Sequence, residues 1–386
     1  MRQWGNSNLR LWGWHGRLRC MNEEEEERYC CGQLVTYLGN KRKLLSFIGK
    51  GVEIVRRRLG KEKLSCYDAF SGSGVVSRYM KRYASALYSN DLEMYAAVLG
   101  RCYLTNRSRA AELQLEAEHE RLMKRIEELW APGLVAELYA PQDDERIRRG
   151  ERVFYTRRNA VFLDTARRAI EELPELLRPY FLAPLLYEAS VHTNTGGVFK
   201  GFYKAKTGIG QFGGQKKQAL PRIMGEISLP MPCFSQYECP CTVLQGDAAE
   251  VARRLPEVDM AYLDPPYNQH PYGSNYFMLN LIATYERPKS ISAVSGIPAG
   301  WNHSAYNTRG GVGKALQELL AAVPAKYALM SYNSTGLLSA EEICALAAPD
   351  WRVKALEQSY PSYRAGRNLR KRASSVCEYL FVFERK

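Results

Sequence analysis

The segment 64–91 constrains the fold of this chain more than any other, because it predicts a strand, a glycine turn, a helix and a second strand in succession. The strand candidate Leu64-Ser65-Cys66-Tyr67-Asp68 leads into the turn Ala69-Phe70-Ser71-Gly72-Ser73-Gly74. A helix is expected from about Val75, and the next strand, 86–89, ends at Asn90-Asp91. This order is that of a βαβ unit, in which glycines let the backbone pass close to a ligand. The sequence therefore predicts an α/β fold, with a doubly wound sheet and helices on both faces.

The spacing of the later strands predicts an insertion into this sheet. The next strand candidate, 241–245, lies far beyond the roughly 30 residues that a βαβ unit occupies. We expect a parent domain formed by 33–105 and 236–386, and an inserted, largely helical region at 106–235. Further strands are expected at 259–263, 327–332 and 376–383, and helices at 44–55, 112–130, 165–177 and 248–255.

Residues 1–32 form an N-terminal extension outside this pattern. Residues 1–20 are basic and rich in tryptophan, whereas Met21 precedes the acidic run 23–27. We interpret Met21 as the natural start of the protein, so that the residues before it are not native. A basic arm that contacts nucleic acid is the alternative interpretation.

A carboxylate, two prolines and an aromatic ring follow the apolar run 259–263, as Asp264-Pro265-Pro266-Tyr267. Proline fixes φ and lacks an N–H, so the pair stiffens the turn and leaves carbonyl groups free to face a ligand. Asp264 and the Pro265 carbonyl can accept hydrogen bonds from an exocyclic amino group, while Tyr267 can stack on a flat ring. These residues therefore predict a site for an amino-bearing base at the carboxyl end of a strand.

The charge balance favours a polyanionic partner. The 386 residues contain 54 Lys and Arg against 41 Asp and Glu, a net charge of +13, which points to nucleic acid. Residues 189–225 contain no acid but carry Lys200 and Lys204 among several glycines, a composition suited to close approach to phosphates. A second acid-free segment, 360–372, contains Arg364, Arg367 and Arg370.

The ten cysteines favour a reduced, cytoplasmic protein, because they are scattered along a chain in which we find no signal peptide. Cys233, Cys239 and Cys241 lack further ligands at zinc spacing, so we expect no metal site. No apolar run approaches the length needed to cross a membrane, and no membrane association is expected.

Four motifs, in this order along the chain, resemble those of the Dam-related D12 class of adenine-specific N6 DNA methyltransferases, which use S-adenosylmethionine. They are Tyr37-Leu38-Gly39-Asn40-Lys41, Asp68-Ala69-Phe70-Ser71-Gly72-Ser73-Gly74, Asn90-Asp91 and Asp264-Pro265-Pro266-Tyr267. The resemblance extends from about Gln33 to Phe383. It implies a Rossmann-like methyltransferase sheet in which region 106–235 is the inserted target-recognition region.

The resemblance also implies roles for individual residues. Asp91 would bind the cofactor's ribose, Asp247 would lie near its adenine, and Tyr37 and Lys41 would approach its carboxylate end. The cofactor-binding set is Tyr37, Lys41, Phe70, Ser71, Gly72, Gly74, Asp91 and Asp247, and the catalytic set is Asp264, Pro265, Pro266 and Tyr267. The residues expected to meet DNA, through resemblance or through charge, are Asn194, Lys200, Lys204, Asn275, Tyr276, Arg364, Arg367 and Arg370.

The reaction implied is direct transfer of a methyl group to the N6 amino group of an adenine flipped out of double-stranded DNA. The implied context is site-specific restriction-modification, with a cognate restriction endonuclease as a partner. A nicotinamide cofactor is a competitor for the glycine turn, but its G-x-G-x-x-G fingerprint would require glycine at Ser77. RNA adenine methylation, cytosine-N4 methylation and nucleic-acid binding without catalysis are competing functions. The cytosine-N4 enzymes more often carry serine where this chain has Asp264.

Overall fold

The computed structural model describes residues 29–30, 32–214, 216–361 and 375–386. Within these residues, seven strands form one mixed sheet in the spatial order β3-β2-β1-β4-β5-β7-β6. The strands are β1 Leu64–Asp68, β2 Ala84–Asp91, β3 Cys241–Gln245, β4 Val258–Leu263, β5 Ala325–Asn333, β6 Trp351–Pro361 and β7 Ser375–Arg385. The first five are parallel, and β7 runs antiparallel between β5 and β6. The predicted α/β sheet is confirmed.

Helices cover both faces of this sheet. The α-helices are α1 Leu45–Leu59, α2 Val75–Met80, α3 Met94–Tyr103, α4 Arg107–Glu112, α5 Leu115–Glu128, α6 Leu134–Tyr139, α7 Arg157–Glu171, α8 Arg178–Val191, α9 Leu220–Met224, α10 Ala248–Ala252, α11 Tyr272–Asn275, α12 Phe277–Thr284, α13 Arg309–Ala322 and α14 Ala340–Ala347. Apolar residues of α1 and α2 pack on one face of the sheet. Those of α10, α13 and α14 pack on the other face. Short 3-10 helices occur at Arg42–Leu44 and Ala305–Asn307.

The long connection between β2 and β3 contains helices α3 to α9, and residues of α3 to α8 build a separate apolar cluster that α12 joins. The helix expected over 112–130 is interrupted, because Gln114 adopts a left-handed conformation with φ of 49° and separates α4 from α5. The helix expected at 165–177 begins and ends earlier, as α7. Helix α8 was not predicted, since Pro184 lies inside it and ordinarily argues against a helix. The division into two domains remains a prediction.

Strand β6 was also not predicted. It lies at the edge of the sheet beside β7, and from Arg352 to Ser359 its residues are exposed or half-buried. An edge strand with one solvated face carries charged residues such as Arg352 and Lys354, which weaken its apolar signal. The helices in the described part of the chain include none that is both long and apolar enough to cross a bilayer.

Candidate active site

A pocket opens at the carboxyl ends of β1, β2 and β4. It contains about 880 Å³ of space between atoms, a volume that includes its open mouth. This is the edge at which ligands bind in doubly wound sheets. Its walls come from segments within 37–41, 69–76, 91–93, 246–248, 264–266, 272–273 and 302–307.

The predicted glycine turn forms one wall of this pocket. Gly72 and Gly74 both have positive φ, 51° and 73°, a conformation that glycine adopts readily because it has no Cβ. A Cβ added to Gly72 would lie 3.0 Å from the ring of Tyr37. Phe70 and Ser71 lie in the same wall. The turn therefore brings backbone to the pocket surface where a side chain would fill the space.

The carboxylate of Asp91 holds this turn in place. Its Oδ2 accepts the backbone N–H of Gly72 at 2.7 Å, and its Oδ1 accepts the backbone N–H of Glu93 at 2.9 Å. Burial raises the pKa of Asp91, and these backbone hydrogen bonds lower it. Asp91 thus lines the pocket and stabilises the glycine turn at the same time.

Asp247 lies on another side of the pocket, at the start of α10. Its carboxylate accepts the backbone N–H groups of Ala249 and Glu250, which is a common way to cap a helix. This capping fixes the side chain at the pocket wall, and its contact with the cofactor's adenine remains a prediction.

Asp264 forms an ion pair with Lys41, with 2.7 Å between Oδ2 and Nζ. Lys41 also donates to the Gly39 carbonyl at 2.9 Å, and its ammonium lies 5.7 Å from the centre of the Tyr267 ring. Burial raises the pKa of Asp264, and the charge and hydrogen bond of Lys41 partly offset that rise. Burial alone would lower the pKa of Lys41, but Asp264 and other nearby groups raise it above its ordinary value. Lys41 therefore contacts the predicted catalytic carboxylate directly, which its sequence position did not indicate.

Aromatic rings surround the turn that carries Lys41. Tyr37 stacks against both Tyr272 and Tyr276, with ring centres 5.0 Å and 4.8 Å away, and those two rings also stack on each other. Gly39 has a φ of 73° and no Cβ, which leaves room for the hydroxyl group of Tyr267. A Cβ added to Gly39 would lie 3.0 Å from that hydroxyl oxygen. Pro266 lines the pocket, whereas Pro265 is buried.

Three residues expected to meet DNA are buried instead. Asn194 is 0% exposed, and its amide group bonds Val153, Gln211 and Gly213. Asn275 and Tyr276 are 3% and 0% exposed. In this structure the three side chains are buried, and their contact with DNA remains a prediction.

These buried residues instead join separate parts of the chain. The Asn275 carbonyl accepts the N–H of Phe199, and the Tyr276 hydroxyl accepts that of Leu38. Polar groups that are buried away from water require such hydrogen-bond partners inside the protein. The polar character of a segment therefore does not show whether that segment faces DNA or the core.

The remaining predicted DNA contacts have different outcomes. Lys200 and Lys204 are exposed, and the Lys204 ammonium lies 4.9 Å from the centre of the Phe202 ring. Arg364, Arg367 and Arg370 lie outside the described residues. The contact of Lys200 and Lys204 with DNA remains a prediction.

Sequence reasoning missed several residues of the pocket. Glu93 lies two positions after Asp91, and this spacing after a strand could have indicated it. Gly273 packs so closely on the segment around Asn302 that an added Cβ would lie 2.6 Å from the Asn302 carbonyl. Tyr306 contacts Phe70 edge to face, with ring centres 5.3 Å apart. No local pattern indicated Asn302 or Tyr306.

A sheet of this order, with a glycine turn and two strand-end carboxylates around one pocket, defines a Rossmann-like methyltransferase. Comparison with known proteins agrees, because residues 37–295 match the model of the D12 class N6 adenine-specific DNA methyltransferase family. The chain belongs to this family.

Similar individual proteins come from bacteria and a virus. The chain is 28% identical to the type II methyltransferase M.NlaIII of Neisseria lactamica over 362 residues, covering 91% of this chain and 99% of that protein. It is also 28% identical to the type II methyltransferase M.CviAII of Paramecium bursaria Chlorella virus 1, covering 90% and 97%. The modification methylase StsI of Streptococcus sanguinis is 26% identical over 366 residues, which are 91% of this chain and 52% of that protein.

Proposed function

We propose that this protein is the site-specific adenine methyltransferase of a restriction-modification system and that it uses S-adenosylmethionine. The observation that carries the proposal is the common pocket of Asp264, the glycine turn and Asp91. The type II and modification methylases among its relatives support the restriction-modification context. A cognate restriction endonuclease is the corresponding partner.

The pocket fits a nucleoside cofactor. Gly72, where a Cβ would crowd the Tyr37 ring, places its backbone in the pocket wall beside Tyr37. Asp91 supplies carboxylate oxygens that can accept hydrogen bonds from ribose hydroxyl groups, and Phe70 supplies an apolar surface for a flat ring. When bound, S-adenosylmethionine would supply the methyl group on a positively charged sulfur.

Asp264 and the Pro265 carbonyl accept the two amino hydrogens of the flipped adenine, and Tyr267 stacks on its ring. These bonds direct the nitrogen lone pair, otherwise delocalised into the ring, toward the methyl donor. Lys41 lowers the pKa of Asp264 against the effect of burial and so favours its ionised form, the form that only accepts hydrogen bonds. Because the reaction needs little charge stabilisation, we attribute most of the rate to positioning.

Replacement of Asp264 by Asn tests this role, since Asn keeps the shape but exchanges one acceptor for a donor. We expect Asp264→Asn to lose at least about 100-fold in the rate of methyl transfer from labelled S-adenosylmethionine to DNA, the scale of losing one positioned polar group in a catalytic site. DNA binding should change little. Asp350→Asn, at an exposed aspartate, is the matched control. Wild-type rates in the Asp264 variant would remove this carboxylate from the chemistry.

A further inference from the structure

Glu93 is a second carboxylate in the pocket wall, two residues after Asp91. It occupies the N-cap position of α3, but its side chain makes no hydrogen bond to the helix. The residue is 3% exposed. A buried carboxylate that does not cap its helix requires other partners.

The two oxygens of Glu93 have different surroundings. Oε2 accepts hydrogen bonds from the side-chain amides of Asn280, on α12, and of Asn302, the latter at 3.0 Å. Oε1 faces Gly273, where an added Cβ would lie 3.2 Å away. Within the described part of the chain, no donor bonds Oε1. The amides thus fix the orientation of the carboxylate and leave one oxygen without a donor.

In the neighbouring carboxylate of Asp91, both oxygens have hydrogen-bond donors. Each oxygen of Asp91 already accepts a backbone N–H, from Gly72 or from Glu93 itself. A ribose presents two hydroxyl donors, so a second acceptor beside Asp91 would complete their recognition. Burial raises the pKa of Glu93 to about 7, whereas the Asn280 and Asn302 amides lower it. A hydroxyl donor at Oε1 would further stabilise its ionised form.

We propose that Glu93 is a cofactor-binding residue whose Oε1 accepts a hydrogen bond from a ribose hydroxyl group, beside Asp91. Asn280 and Asn302 act as positioning residues that hold it. This inference rests on the proposed use of S-adenosylmethionine. Gly273 has no room for a Cβ, because it packs closely against both Asn302 and the Glu93 carboxylate at the pocket wall.

The variant Glu93→Gln separates this role from a structural one. Its amide oxygen can take the place of Oε2 and keep both asparagine bonds, which leaves an NH₂ donor in place of Oε1. Calorimetry would measure the binding of S-adenosylhomocysteine and of its 2′-deoxy and 3′-deoxy analogues. Glu145→Gln, at an exposed position, is the control.

We expect Glu93→Gln to bind S-adenosylhomocysteine at least about 10-fold more weakly than the wild type, because the NH₂ group cannot accept the hydroxyl hydrogen and the charge-assisted bond to the carboxylate is lost. One deoxy analogue should bind the wild type weakly but lose little further affinity in the variant, as expected for two groups in contact. Equal affinity of wild type and variant for S-adenosylhomocysteine would overturn the inference.

Two further measurements keep these outcomes distinct. If Glu93→Gln does not fold, Glu93→Asp retracts the carboxylate by one methylene and should also bind more weakly; unchanged affinity would again refute the role. A wild-type protein that does not bind S-adenosylhomocysteine would refute the proposed function itself. A wild type that binds it and methylates DNA, with an unaffected Glu93 variant, would refute only the role of Glu93.

Discussion

The ion pair between Lys41 and Asp264 predicts that replacing Lys41 by an uncharged residue makes the rate of methylation depend on pH. Lys41→Met keeps an unbranched side chain, one heavy atom shorter, and removes its charge. Lys41 is 5% exposed, and the Asp264 side chain is 18% exposed, so water compensates the loss poorly. The carboxyl group would then remain buried without its cation, and the variant would favour the protonated form of Asp264.

The expected magnitude follows from the geometry. At an effective dielectric constant of about 20, two charges about 4 Å apart interact by about 4 kcal/mol, and breaking a buried ion pair costs about 3–5 kcal/mol. If the ionised form of Asp264 is destabilised by about 3 kcal/mol, the rate of methyl transfer should fall by at least about 100-fold. Lys41 lowers the pKa of Asp264, so its removal raises that pKa further. Activity should therefore be lost at neutral pH and recover as the pH rises.

The assay is the initial rate of DNA methylation between pH 6 and pH 9, at saturating and at limiting S-adenosylmethionine. Lys43→Met, at an exposed lysine two residues away, is the control for loss of one charge. An unchanged rate and pH profile in Lys41→Met would refute the reasoning. A raised KM for S-adenosylmethionine without recovery at high pH would instead favour the cofactor contact that the sequence resemblance implied for Lys41.

Replacing Lys200 and Lys204 together by Ala should weaken DNA binding and reduce the slope of log K against log salt by about 1.8, if each contacts one phosphate; an unchanged slope would place both away from the DNA backbone. Lys326→Ala, at the amino end of β5, is the control. Burial raises the pKa of Asp68 to about 7, from an ordinary value near 4. Because the folded form holds this proton more tightly, Asp68 contributes stability at low pH that is lost as the pH rises through 7. Asp68→Asn should therefore reduce the loss of unfolding free energy between pH 5 and pH 8, measured with urea; an equal loss in both proteins would contradict this.

The local elements of the fold were accessible from the sequence because neighbouring residues define them. The glycine turn at Gly72 and Gly74 requires positive φ, and an apolar run ending at Asp264 predicts a strand whose last side chain faces a site. The parallel order of strands then brings Gly72, Asp91 and Asp264 to one edge of the sheet. These three positions needed only periodicity, turn chemistry and topology.

Contacts between distant segments depended on the tertiary structure. The Lys41 ion pair with Asp264 requires the turn before α1 to pack against the end of β4. The link between Glu93 and Asn302 requires the segment after α12 to return to the pocket. Packing also determines which polar residues become buried. Asn194 lies in a basic, glycine-rich stretch that we expected to meet DNA, yet it is fully buried.

Local sequence was enough to define six of the seven strands described, the glycine turn and the carboxylate at the end of β4, because each depends on backbone preferences and periodicity within a few residues. Long-range packing, in contrast, determines which polar groups meet in the pocket and which become buried joints. Burial and hydrogen-bond partners arise when segments far apart in the chain pack together, and the charge state of groups such as Asp264 depends on that packing.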